Sequence, residues 1–277
     1  MHHNTRYLRY GLTVLFAISQ LALAEEPAKH YTRAEMEEFL LNAKVVDKKE
    51  IGMGVTNSMK ATLSDGKLEH LAHIQSIDEA KAEFKTMHGT ELNFKDTYKY
   101  NIAAYKLDKI MDLNMIPVSV ERKVAGKSCA VTWWVDDKMF DEVDRVKQGI
   151  APPNLDAWNK QMYVVRVFDQ LIDNTDRNLG NLVIDKQWRM WMIDHTRAFR
   201  TTTKIRSEAN LVMCDRKLLA SMRKLDEDTL NEQLRPYLTK TEIKAMLARR
   251  DKIVKFFEEA VTNKGEGAVM YDMPPRE

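Results

Sequence analysis

One stretch of this chain limits the fold more than any other. From Asp169 to Asn181, within FDQLIDNTDRNLGNLVID, three aspartates, three asparagines and an arginine follow an apolar helical run and precede a short apolar one. A helix end and an Asx-turn would use some of these groups. A site for metal and phosphate would use nearly all of them. The residues behind the knot bear on the choice. LVID, KQ and WRMWMID read as a hairpin, two apolar runs around a polar turn. With the turn at Lys186, Gln187 and their neighbours, antiparallel register sets Leu182 opposite Ile193 and Asn181 opposite Asp194. Directly opposed residues carry Cβ atoms within about 5 Å. An amide oxygen beside a carboxylate is a hard-oxygen site suited to Mg²⁺ or Mn²⁺. Asp176, five residues before Asn181, is close enough to face the same cleft. An EF-hand calcium loop is rejected, because no frame combines alternating oxygen ligands with glycine at the sixth position. Asp169 and Asp173 read as polar residues at the helix end.

The surrounding pattern gives the architecture. YTRAEMEEFLLNAKVV has a threonine cap and helical periodicity. EIGMGVTNSMKATL, the turn SDGK and LEHLAHIQSID read as a hairpin that opens on Gly52 and Gly54. FKDTYKYNIAAYKLDKIMDL reads as a long amphipathic helix, with Tyr98, Ile102, Tyr105 and Ile110 on one face. MIPVSVERKV and SCAVTWWVDD form a second strand pair around AGK, and PPNLDAWNKQMYVVRVFDQLI is a loop and a helix. From Arg216 the chain alternates leucine-rich and charged helical segments. This is an α+β fold in two lobes, with the boundary between Asp136 and Pro152. The expected division is 25–49 an N-terminal helical segment, 50–136 a β-rich lobe with one long helix, 137–262 a helical lobe, and 263–277 an extended tail. Ligands favour the cleft between such lobes. Trp133, Trp134, Trp188 and Trp191 read first as core residues.

The order of polar groups matches phosphoryl transfer. In protein kinases an aspartate accepts the substrate hydroxyl proton, an asparagine five residues later binds metal, and an aspartate beyond a hairpin binds metal bridging the phosphates. Asp176, Asn181 and Asp194 reproduce that order, with TDR in place of HRD and DHT in place of DFG. DNTDRNLGN followed by IDHTRAF resembles the atypical kinases: phosphatidylinositol kinases, bacterial HipA-like kinases and, most closely, secretory-pathway kinases of the Golgi casein kinase type. YKYNIAAYKLDKIMDLNMIPVSVERKV resembles the helix and following strand of the last group. The resemblance spans Ile51 to Arg200 and implies a two-lobed protein-kinase-like fold. It implies ATP or another nucleoside triphosphate as donor and Mg²⁺ or Mn²⁺ as cofactor. Asp176 would be the catalytic base, Arg177 would hold the loop by hydrogen bonds, and Asn181 and Asp194 would bind metal. Gly52 and Gly54 would open the phosphate-covering hairpin, and VTWWVDD, with Trp133 or Trp134, would run beside adenine.

Two positions depart from that pattern. A kinase carries a lysine on its third strand, paired with an acid on the long helix. Gln75 stands in the first place and Asn101 in the second. Losing the lysine alone would leave a lone acid in the cleft, which is costly; an amide pair keeps the contact and gives up the charge. Lys60 or Lys81 would be a substitute cation and Asp96 a substitute acid. The expectation is an exported metal-dependent phosphotransferase with a hydroxyl acceptor on a protein, a sugar or a metabolite. The alternative is an exported pseudokinase that binds nucleotide or a partner without catalysis.

Composition bears on the setting. MHHNTRYLRY, then GLTVLFAISQLALA ending in Ala22-Leu23-Ala24, reads as a cleavable secretory leader over 1–24; an uncleaved anchor is the alternative. No later run is long and apolar enough to span a bilayer. Without Arg6 and Arg9 of the leader, basic and acidic residues are equal in number, and no basic stripe points to nucleic acid. The histidines show no metal spacing, and Cys129 and Cys214 do not make a disulfide framework. Export leads to a periplasm or the cell exterior in a bacterium and to the secretory pathway in a eukaryote. The absence of any Asn-x-Ser/Thr sequon leans towards the bacterial setting, where ATP is scarce outside the cytosol.

Overall fold

Alternating apolar and polar residues carry the first half of the chain into strands, and a 3.6-residue period carries the second half into helices. The computed structural model describes residues 31–51, 58–86 and 89–276. From Thr32 onward the chain forms one unit. The expected leader and the glycine pair Gly52 and Gly54 lie outside the described residues.

Helix α1 (Arg33–Asn42) starts at a capping box: the Thr32 hydroxyl accepts from Glu35 N–H, and the Glu35 carboxylate accepts from Thr32 N–H. Strands β1 (Lys44–Glu50), β2 (Ser58–Ser64) and β3 (Glu69–Gln75) follow, then β4 (Asp78–Thr86), β5 (Gly89–Thr97), helix α2 (Lys99–Met111), β6 (Ser119–Val124) and β7 (Lys127–Trp133). Five strands form one antiparallel sheet in the order β1-β2-β3-β7-β6, while β4 and β5 form a separate hairpin. Between β2 and β3 the Asp65 carboxylate accepts from the amides of Lys67 and Leu68, and Gly66 takes the left-handed conformation the turn needs. Helix α2 packs on β6 and β7 with Ile102, Ala103, Ala104, Tyr105 and Leu107 buried.

The second half adds β8 (Lys138–Asp141), α3 (Glu142–Lys147), α4 (Leu155–Ile172), a short 3₁₀ turn (Leu179–Asn181), β9 (Leu182–Asp185) and β10 (Met190–Met192). Then come β11 (Cys214–Asp215), α5 (Arg216–Lys224), α6 (Glu227–Leu234), α7 (Lys240–Lys264), α8 (Glu266–Val269) and β12 (Met270–Tyr271). The result is the expected mixed α and β class, with a sheet-rich N-terminal region and a helical C-terminal one. No helix among the described residues is long and apolar enough to cross a membrane. Cys129 and Cys214 are separate buried thiols.

Several expectations need correction. The first helix ends at Asn42, and Val45 and Val46 belong to β1, where β-branched residues favour pairing with β2. The long helix starts at Lys99 instead of Phe94. Thr97 N–H bonds the Thr196 carbonyl and Tyr98 N–H bonds the Ile77 carbonyl, so amides that a longer helix would use are taken. The β9–β10 turn is one residue shorter than the sequence suggests. It holds Lys186, Gln187 and a left-handed Trp188 between Asp185 and Arg189, so Leu182 faces Met192 and Ile193 N–H bonds Asn181 O. The Asp185 carboxylate fixes this turn by accepting from Gln187 N–H, Arg189 N–H and Nε, and Trp191 Nε1. The C-terminal tail is tied down: Met270 and Tyr271 pair with β11, and the Arg276 guanidinium bonds Gln161 Oε1 and Met190 O.

Glu242 joins the two halves. Its carboxylate completes the α7 capping box with Thr239 N–H, pairs with Lys95 of β5 and accepts from the Tyr100 hydroxyl at 2.6 Å. Burial alone would raise its pKa; hydrogen bonds from Lys95, Tyr100 and Thr239 outweigh it and hold the carboxyl below the ordinary glutamate value. A depressed carboxylate contributes stability above its unfolded pKa and loses it as pH falls through the folded one. Glu242→Gln is therefore expected to cost about 2 kcal/mol at neutral pH. The gap from the wild type should narrow as urea titrations move from neutral to about pH 3; a gap independent of pH would refute the linkage.

Candidate active site

The polar knot after α4 divides its side chains between turn chemistry and a cleft. Asp173 ends the helix in the left-handed conformation and pairs with Arg206. Asn174 accepts from Asp176 N–H through Oδ1 and donates to Asp169 Oδ1 through Nδ2. Asn178 caps the 3₁₀ turn by accepting from Gly180 N–H, and a Cβ at Gly180 would sit 3.1 Å from that same oxygen. These groups realise the Asx-turn reading. Arg177 is the brace. Its Nε and Nη2 bind the Asp169 carboxylate, and Nη1 donates to the carbonyls of Asn181 at 2.8 Å and Ile193 at 2.9 Å. Nη2 also meets His195 Nε2 at 3.0 Å. Because a guanidinium only donates, that nitrogen accepts, and the imidazole is neutral. Burial, reinforced by the Arg177 charge, holds His195 well below the usual histidine range.

Asp176 and Asn181 remain for the cleft, and both line it with Asp194. Asn181 commits its amide nitrogen to the Asp176 carbonyl, so the amide oxygen is the end left for a cation. Asp194 lies just past the β9–β10 pairing, with a left-handed backbone that aspartate tolerates better than most residues. The corrected register thus replaces direct opposition with a turn at Asp194, and both residues still reach one cavity.

Gln75 and Asn101 meet. Asn101 Nδ2 donates to Gln75 Oε1 at 2.6 Å, and Asn101 Oδ1 accepts from His195 N–H at 2.7 Å. The amide pair therefore joins β3, α2 and the segment after Asp194. Gln75 Nε2 is buried without a hydrogen-bond partner. The suggested substitute cations do not themselves line the cavity: Lys60 lies over the Trp134 ring, and Lys81 pairs with Glu79 and lies over the Phe84 and Phe94 rings. Asp96, the suggested acid, does line the cleft.

The cavity measures about 460 Å³ and has both apolar and charged walls. Ile116, Val135, Val183, Met192, Trp133 and Trp134 line it, together with Asp96, Asp176, Asn181, Asp194 and Arg197. Trp133 is largely spent on structure, stacked on His70 at 3.6 Å with its Nε1 on Asp136. Asp176 and Asp96 are both held above the ordinary aspartate range; burial is the larger cause, the Asp194 charge adds to it, and Arg197 opposes it. The cleft thus concentrates negative charge that a cation would relieve. Among the described residues no group of three or more histidines, cysteines, aspartates or glutamates makes a metal site alone. Asn181 and Asp194 fit an ion that completes its shell with substrate phosphate and water, as Mg²⁺ does.

Among the lining residues that escaped the sequence reading are His73 and Arg197. His73 stands two residues before Gln75 on β3, so strand alternation could have placed it on the same face; burial lowers its pKa and the Asp194 charge opposes that shift. Arg197 follows Asp194 by three residues, a cation inside the very segment quoted for its aspartate. The Arg177 brace is testable by substitution. A lysine cannot reproduce its forked contacts, so Arg177→Lys should cost about 2 kcal/mol in chemical denaturation, and Arg177→Met about 3 or more. Two substitutions within experimental error of the wild type would show that the brace is dispensable.

Comparison with known proteins accords with the fold. The ABC1 atypical kinase-like domain matches residues 54–232. Hydra Fam20, solved with sugar, superposes with a TM-score of 0.62 at 14% identity, covering 87% of this chain and 92% of that one. The Golgi casein kinase superposes with a TM-score of 0.60 at 12% identity, covering 88% and 80%. At these identities the likeness concerns the fold. No curated protein sequence matches the chain. The fold is that of the atypical kinases, and the chain belongs to the ABC1 atypical kinase-like domain family.

Proposed function

We propose that the chain is an exported, divalent-metal-dependent phosphotransferase that moves a phosphoryl group from ATP or another nucleoside triphosphate to a hydroxyl on a protein, a sugar or a metabolite. The observation that carries this reading is the shared cleft of Asp176, Asn181 and Asp194, which apolar side chains including Trp134 also line. The nucleobase packs on the apolar side chains and the phosphates meet the charged ones. Asp176 orients the acceptor hydroxyl and takes its proton; a carboxylate with raised proton affinity is the better base. Asn181 and Asp194 hold the cation, which when bound neutralises phosphate charge. Arg177 keeps these groups in register, and the Gln75–Asn101 pair holds β3 to α2. The working division is a leader over 1–24, a nucleotide-covering lobe over 50–136 and a catalytic lobe over 137–262.

A second reading rests on one observation. The pair that should carry opposite charges is a neutral amide contact. An exported pseudokinase that binds nucleotide or a partner would keep the lobe contact and dispense with the cation.

Thermal unfolding with nucleotides and Mg²⁺ or Mn²⁺ tests the site. A ligand that binds only the folded state stabilises it by about 2.7 kcal/mol at roughly a hundredfold excess over Kd. The wild type should shift, and Asp194→Asn, which tolerates the left-handed backbone, should lose the metal-dependent part. No shift with any nucleotide and metal removes the phosphotransferase and the nucleotide-binding pseudokinase together. Phosphoryl transfer separates the two. Asp176→Ala should keep the thermal shift and lose transfer by about 10²- to 10⁴-fold, whereas a shifted wild type that transfers to no acceptor, itself included, identifies the pseudokinase.

A further inference from the structure

The cleft holds a cation whose job the family pattern does not assign. Arg197 sits among carboxylates without a hydrogen bond to either neighbour: Nε lies 3.6 Å from Asp96 Oδ2 and Nη1 lies 3.8 Å from Asp176 Oδ2, both beyond hydrogen-bond length. Its Nε and Asp96 Oδ1 are buried with no hydrogen-bond partner. A guanidinium carries five donors in a planar fork that matches phosphate oxygens. Such a group, with Nε unbonded between two carboxylates, is equipped to bond an incoming anion.

The hairpin β4–β5 builds its seat. Phe84 and Phe94 stack at 4.2 Å, and the Arg197 guanidinium carbon lies 4.8 Å from the Phe94 ring centroid. Asp96 stands two residues further along β5, and the bond from Thr97 N–H to the Thr196 carbonyl ties that strand to the arginine's own segment. Next door, Arg200 pairs with Glu91 of the same hairpin. The hairpin thus holds Arg197 from one side while Asp176 faces it from the other.

We propose that Arg197 binds the phosphoryl group undergoing transfer and supplies positive charge there. The assignment rests on the phosphotransferase reading and deepens it. A base must lie within hydrogen-bond reach of the hydroxyl it serves, so a guanidinium beside the Asp176 carboxylate lies at the terminal phosphate, not the inner ones. The acceptor oxygen forms a bond to phosphorus, the bond from phosphorus to the nucleoside diphosphate breaks, the proton passes to Asp176, and the electron pair leaves with the diphosphate. Arg197 donates to the oxygens of the group in flight. Its affinity contribution is therefore specific to triphosphate.

Calorimetric titration of the full chain with ATP and ADP, each with Mg²⁺ or Mn²⁺, tests this. Arg197→Met should weaken the triphosphate about tenfold or more, ~1.4 kcal/mol per tenfold, and leave the diphosphate unchanged. Arg197→Lys keeps the charge and should recover part of the difference, which also guards against a methionine variant that fails to fold. Lys138→Met, which removes another cation lining the cleft, should preserve the preference for triphosphate. If the wild type prefers triphosphate and Arg197→Met keeps that preference, or Lys138→Met loses it instead, the assignment is wrong and the kinase reading stands. If the wild type binds neither nucleotide, the kinase reading falls and takes the assignment with it.

Discussion

The candidate proton acceptor and metal ligands depend on one guanidinium. Arg177 binds the Asp169 carboxylate at the end of α4 and the carbonyls of Asn181 and Ile193 at the start of β9 and the end of β10. The helix, the turn and the hairpin carry the candidate proton acceptor and the two candidate metal ligands on three separate stretches of backbone. A metal site tolerates little error in the placement of its oxygens. A planar fork with several fixed donors can set three backbones at once, which a point charge on a flexible stem cannot. His195 completes the brace by staying neutral. A charged imidazole next to Arg177 would repel it and would have no lone pair to offer Nη2.

Across the cleft the same problem has a neutral solution. An ion pair between β3 and α2 would have to overcome the desolvation of two buried charges. The Gln75–Asn101 contact avoids that cost and adds a third partner, because Asn101 also accepts from His195 N–H. Sheet, helix and post-hairpin segment therefore meet at one asparagine. The orphaned Gln75 Nε2 is the residual cost of this arrangement. Neutrality at this junction leaves the negative charge of Asp96, Asp176 and Asp194 to be met from elsewhere.

The polar knot, the hairpin behind it, the cap of α1 and the Gln75–Asn101 contact were legible because each rests on short-range pattern or on an ordered set of residues. What was not legible shows the limit of such patterns. The β4–β5 hairpin hid in EAKAEFKTMHGTELNFKDT, whose exposed faces carry charge and whose buried residues are few: Phe94, Asp96 and Thr97 are buried, while Leu92 is 65% exposed. The start of α2 moved because distant carbonyls, of Ile77 and Thr196, compete for its first amides. The β9–β10 register moved by one residue because Trp188 adopts a left-handed conformation that nothing in its side chain favours; the buried Asp185 carboxylate, with four donors around it, imposes the shorter turn. In a strand a one-residue slip reverses every face. The candidate site survives it because Asp194 lies beyond the paired residues, where the backbone turns.

That survival says where the specificity of the fold resides. Asp194 and Phe199 both take left-handed backbones, and between them run His195, bonded to Asn101, and Arg197, seated on the hairpin. A buried aromatic in that conformation costs free energy and persists only where surrounding contacts over-determine it. Those contacts are present. Phe199 N–H bonds the Ile172 carbonyl at the end of α4, and the buried Arg249 donates to the carbonyls of Leu171, Arg200 and Thr202. The segment from Asp194 to Thr202 is thus held from α2, α4, α7 and the β4–β5 hairpin at once. A turn needed only to close a hairpin would not require support from four elements. A segment that must keep the candidate metal-binding carboxylate and the proposed phosphate-binding cation at fixed separation would.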